Sequence, residues 1–116
     1  MVFEQFVEKV CKIDKRNKFT NGKATCKNLP EFYKYYNPVD VEFKSNLGII
    51  RMLPIDEISK ETASYSYIKL DFVFALINGE PLFVKDKKVY ICENGNQNPT
   101  LEKVANSFEE FLKNII

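Results

Sequence analysis

Apolar residues recur along this chain with two different periods. Phe3, Phe6, Val7, Val10 and Cys11 stand three and four residues apart, with Glu4, Glu8, Lys9 and Lys12 between them. That spacing predicts an amphipathic helix at the start. After Asp14 the pattern dissolves. Lys15 to Lys27 reads as a loop, turned at Asn21-Gly22 and gathering Lys15, Arg16, Lys18, Lys23 and Lys27 around Phe19. Asn28 then precedes Leu29-Pro30-Glu31, which combines a capping side chain, a first-turn proline and a glutamate three residues after the cap. A short helix carrying Phe32, Tyr35 and Tyr36 is expected.

From Val39 the period becomes two. Val39, Val41 and Phe43 alternate with Asp40, Glu42 and Lys44, predicting a strand with one wet face. Ser45 to Gly48 supplies turn chemistry, and Ile49 to Leu53 reads as the returning strand, ended by Pro54. Ile55 to Thr62, polar apart from Ile55 and Ile58, suits a helical turn or two. Leu70 to Ile77 is almost wholly apolar and rich in β-formers, the mark of a strand buried on both faces at the centre of a sheet. Asn78-Gly79 and Asp86-Lys87 then connect Pro81–Lys85 and Lys88–Glu93 in an antiparallel meander.

Residues 94–100 are all turn-formers. Beyond them Leu101, Val104, Ala105, Phe108, Phe111, Leu112 and Ile115 mark a helical stripe, and Ser107-Phe108-Glu109-Glu110 within it spells a capping box. The chain is expected to end in helix, with or without a break at Ser107. The predicted fold is α+β: a mainly antiparallel sheet of about five strands flanked by N- and C-terminal helices, in a single domain spanning residues 1–116.

Composition adds limits. Apolar residues make up 45% and charged residues 28%, the balance of a chain that folds unaided. The longest apolar run, Phe72 to Ile77, is far short of the roughly 20 residues needed to cross a bilayer. The first residues mix acids with apolar side chains, unlike a secretory signal. Cys11, Cys26 and Cys92 are odd in number and form no C-x-x-C pair, so they read as reduced thiols in a cytoplasmic protein. Net charge is +1, but residues 1–27 hold seven Lys or Arg against three Asp or Glu, leaving a mildly acidic remainder.

The chain contains no histidine, which removes the usual general base at neutral pH and the commonest metal ligand. Three scattered cysteines fall short of a four-thiolate zinc site, and no phosphate-cradling or dinucleotide-binding glycine motif occurs. Neighbouring acids such as Asp56 with Glu57, or Glu109 with Glu110, read as solvated helix surface. Cys92 has no basic neighbour in sequence to activate it. No catalytic residue, metal or cofactor is expected. Two surfaces stand out for binding. The basic loop could meet phosphates, with Phe19 stacking on a base, but no nucleic-acid motif accompanies it and that reading ranks last. Tyr65 and Tyr67 follow Asp56, Glu57 and Glu61 in a segment that the core does not obviously consume, and tyrosine is enriched at protein-docking hot spots. These five residues are the expected partner-binding surface.

The order of several pieces carries a resemblance. They are Leu29-Pro30-Glu31-Phe32-Tyr33-Lys34, Leu53-Pro54-Ile55-Asp56-Glu57-Ile58, Phe72-Val73-Phe74-Ala75, Asn78-Gly79-Glu80-Pro81-Leu82-Phe83, Lys88-Val89-Tyr90, and Ala105-Asn106-Ser107-Phe108-Glu109-Glu110-Phe111-Leu112. In this order, from about residue 29 to the end, the chain resembles the SUKH superfamily of bacterial immunity proteins and fungal cell-wall-assembly regulators. The resemblance implies a SUKH-like fold, with Gly79, Phe108 and Phe111 as scaffold positions. It also implies a function without chemistry, since many such bacterial proteins neutralise a cognate toxin, often a nuclease; the expectation here is a monomer or weak homodimer that covers the toxin domain sterically. The alternative it implies is a general protein-interaction module. The near-neutral charge departs from the acidic balance of many such immunity proteins.

Overall fold

The computed structural model describes residues 2–22, 29–65, 70–93 and 100–115. Its elements run α1 (Val2–Ile13), β1 (Lys18–Asn21), α2 (Phe32–Tyr35), β2 (Tyr36–Ser45), β3 (Gly48–Met52), α3 (Ile55–Ala63), β4 (Phe72–Ile77), β5 (Glu80–Lys85), β6 (Lys88–Glu93), β7 (Thr100–Ala105) and α4 (Phe108–Asn114). The architecture is α+β. All seven strands join one antiparallel sheet in chain order, with β4 in the middle.

The apolar run of β4 takes the central place because both of its faces are covered. Phe74 meets Phe108 and Phe111 of α4 at ring-centroid distances of 5.0 and 5.3 Å. On the same side Phe6 of α1 reaches Phe43 at 5.7 Å, and Phe43 stands opposite Ile50 across the β2–β3 pair. Arg51, next to Ile50, must point the other way in a pleated strand, and it is Arg51 that approaches Glu57 of α3. The helix α3, packed on β4, therefore covers the reverse face. Phe32 of α2 sits among the rings of Phe3, Phe6, Phe19, Tyr33, Tyr36 and Phe108, with centroids 5.3 to 6.2 Å away, and is fully buried.

The sheet has seven strands where about five were expected, and both additions correct the sequence reading. Lys18–Asn21, read as loop, pairs with β2. Asn17, the one buried polar residue among those described, makes this possible. Its side-chain amide donates to Val10 O and accepts from Glu42 N, both at 2.9 Å, stitching the end of α1 to β2. Thr100–Ala105, of which Thr100 was read as turn and Leu101–Ala105 as helix, pairs with β6. Its neighbour Val89 faces Ala105 while Tyr90 faces Lys103, so Val104 is an extra residue in the ladder. That bulge carries an alternating strand through a helix-like spacing of apolar residues. The helix begins only after Ser107, whose hydroxyl caps Glu110 N at 3.0 Å while the Glu110 carboxylate accepts from Asn106 N. The capping box does mark a boundary.

Smaller corrections follow the same logic. Val39, expected on the buried face with Val41 and Phe43, is exposed, because Lys18 pairs with Asp40 and Phe19 with Pro38, leaving Val39 as a bulge. The short helix after Pro30 is a single turn that buries Phe32 and Tyr33 and leaves Tyr35 exposed, and Tyr36 already belongs to β2. Its predicted cap, Asn28, and most of the expected turn at 94–100 lie outside the described residues.

Candidate functional site

The predicted docking surface centres on α3, and local chemistry explains why this helix presents charge. Leu53 N donates to Phe74 O and buries its side chain, so the chain leaves β3 pinned to β4. Pro54 then starts the helix, and the first free donor, Ile55 N, is satisfied by the Asn37 side chain of β2 at 2.9 Å. Ile58 is buried and anchors the inner face. Thr62 closes the far end: its hydroxyl donates to Ile58 O at 2.7 Å and accepts from Val73 N at 2.9 Å. With its inner side consumed in this way, α3 turns Asp56, Glu57, Ser59 and Lys60 outward.

Asp56 and Glu57 stand exposed in the first turn, where acids interact favourably with the positive end of the helix dipole. Glu61, one turn beyond Glu57, is half-buried. Arg51 Nη2 lies 3.7 Å from Glu57 Oε2, an exposed pair that contributes little to stability but adds a cation to the same surface. Arg51 and Lys60 were missed at the sequence level. Alternation against Ile50 and Met52 was the signal that could have found Arg51.

Of the two predicted tyrosines, Tyr65 is among the described residues. Tyr65 is half-buried at the end of α3, packed against the core, with its N–H donated to Thr62 O. Tyr67 lies outside the described residues. Among the described residues, the surface around α3 carries two adjacent exposed acids, a third half-buried, and a lysine and an arginine interleaved, with Tyr65 at its end.

The basic segment is also altered by folding. Arg16 binds Asp14 through several hydrogen bonds, the shortest 2.7 Å. The Asp14 carboxyl is held below its usual range chiefly by the Arg16 side chain, and the guanidinium is pushed up by Asp14 with smaller help from Asp40 and Glu42. A groove of about 300 Å³ runs here, lined by Asp14, Arg16, Asp40, Glu42 and Lys44, with Ile13 and Ile49 beside them. The acids of β2 offset the local positive charge. Phe19 turns its ring edge-on to Phe32 and Tyr36 at 6.2 and 6.3 Å, so it is engaged in packing at the position expected to stack on a base. Lys23, Cys26 and Lys27 lie outside the described residues.

Cys92 is fully buried, and its thiol is pushed up by burial and by the Glu80 carboxylate. Cys11 is half-buried, its thiol also raised by burial and donating to Asn17 O. Among the described residues no three Cys, Asp or Glu side chains gather where they could hold a metal ion, and no helix is long and apolar enough to cross a membrane. Comparison of the chain with protein-family models, curated proteins and solved structures finds no match.

Proposed function

We propose that this protein is a non-enzymatic immunity protein that neutralises a cognate toxin domain, of nuclease type, by occluding its surface from within the cytoplasm. The observation that carries the reading is the outward face of α3, where Asp56 and Glu57 stand exposed beside Lys60 and Arg51 on a helix whose inner side is locked to β4. A packed helix face carrying both signs of charge suits recognition of a protein surface with the complementary pattern, since complementary charge steers encounter and fixes register. The absence of histidine in the sequence and the raised thiols of Cys11 and Cys92 fit a protein that works by binding. The ordered motifs from Leu29 to Leu112 supply the SUKH-like reading that makes the partner a toxin. Tyr65, half-buried against the core at the end of the helix, borders the same face. Asp56 and Glu57 carry the larger share.

The test is a binding measurement with the protein encoded beside this one. Reversing both charges, Asp56→Lys with Glu57→Lys, is expected to slow association about tenfold or more and to flatten its salt dependence. Unchanged kinetics in a folded double variant would remove α3 as the site. A neighbouring product without toxin activity that still binds would favour the general interaction module.

A further inference from the structure

A second surface lies on the other side of the sheet, where β4 begins and the β5–β6 turn closes. A recess of about 280 Å³ opens there, walled by Leu29, Pro30, Phe72, Val84 and Phe108. Its walls are firm, because Phe108 is held by Phe74 at 5.0 Å and Phe32 at 5.9 Å. Asp71 and Lys87 complete the lining, and both are exposed. The Asp71 Oδ2 accepts from Asp86 N at 3.0 Å, and its other oxygen has no partner among the described residues. Lys87 forms no ion pair with a described residue.

Lys87 also sits in an unfavourable backbone. It is the second residue of a two-residue hairpin turn, with φ of +68°. The preceding hairpin places Gly79 at the equivalent position, with φ of +81°. A glycine meets this conformation without steric cost, whereas a lysine does not. A charged side chain is therefore kept at the lip of an apolar recess at a conformational cost, and such strain concentrates where function requires it.

We propose that this recess receives one apolar side chain, of phenylalanine or leucine size, from a partner polypeptide, whose adjoining peptide group donates to Asp71 and accepts from Lys87. The volume falls just below the range of sites for whole cofactors and is ample for a single anchor. The second Asp71 oxygen and the Lys87 ammonium, both without a partner among the described residues, match the donor and acceptor of a peptide unit, and buried anchors of this kind dominate protein interfaces. The inference deepens the protein-binding reading above but uses none of the residues of α3.

The probe is N-acetyl-phenylalaninamide, titrated into the isotopically labelled protein by NMR. Saturable shifts are expected at Phe72, Val84, Lys87 and Phe108, and none with N-acetyl-alaninamide. Lys87→Gly is expected to raise Tm while weakening the titrated affinity about tenfold, a combination that a purely structural lysine does not give. Asp71→Asn is expected to weaken it similarly with Tm little changed. Unsaturable shifts, equal shifts with the alanine probe, a lower Tm for Lys87→Gly, or unchanged affinity in both variants would each overturn the proposal. Charge reversal at Asp56 and Glu57 is expected to leave this titration unaltered, so the two readings fail separately.

Discussion

Tyr33 packs its ring against Phe32 and Phe108 at 5.3 and 5.7 Å, fully buried, and its hydroxyl finds no hydrogen-bond partner among the described residues. Burial alone pushes its ionisation far above the ordinary tyrosine value. A buried donor without a partner costs about 1–3 kcal/mol, so Tyr33→Phe is expected to stabilise the protein by about 1 kcal/mol or more in urea denaturation. Asn17 is the opposite case, since its buried amide serves both α1 and β2. Asn17→Ala is expected to cost about 2–4 kcal/mol, because Val10 O and Glu42 N lose their partner together. The surface pair of Asp14 and Arg16 gives a pH signature. A carboxyl whose folded pKa is depressed contributes stability above its unfolded pKa and loses it as pH falls through the lowered value. For this fully exposed group the effect is best followed by NMR titration of Asp14, which is expected to return to the ordinary range in Arg16→Ala.

Among the elements, three strands carry an extra residue: Val39 in β2, Phe74 in β4 and Val104 in β7. Each bulge shifts side chains between faces, and two of them account for errors in reading the sequence. Strict alternation placed Val39 inside, and an apparent 3–4 spacing turned β7 into helix. The bulge at Phe74 did no such harm, because nearly every position of β4 is buried and no alternation was there to be misread. Caps were more legible. Ser107 begins α4 as its capping-box spelling indicated, and Ser107→Ala is expected to cost about 1 kcal/mol, measured by thermal unfolding. The other end of α4 depends on a distant contact that no local rule announces. Asn46, in the β2–β3 turn, donates its backbone N–H to Ile115 O and its side chain to Asn114 O at 3.1 and 3.0 Å.

At the scale of the molecule, one core couples all of these pieces, and Phe32 lies where α1, α2 and α4 meet the sheet. Phe32→Ala is expected to cost about 3–5 kcal/mol, a large part of the stability of a domain this size, so the variant should unfold near or below physiological temperature in a calorimetric scan. The sequence by itself determined the helix of residues 2–13, the β2–β3 hairpin, the central β4 and the meander after it. There local period and turn chemistry agree, and each segment announces its own partner through a short connection. It also determined what chemistry is scarce, because composition needs no fold to be read. Only the tertiary structure decided that Lys18–Asn21 and Thr100–Ala105 become strands, since an edge strand is specified by the neighbour that pairs with it. The candidate site divides along the same line. Asp56 and Glu57 were readable as a solvated helix start, whereas the addition of Arg51, the half-burial of Tyr65 and the recess beside Lys87 arise from segments that meet across the sheet, and contacts so distant in sequence leave no local pattern to read.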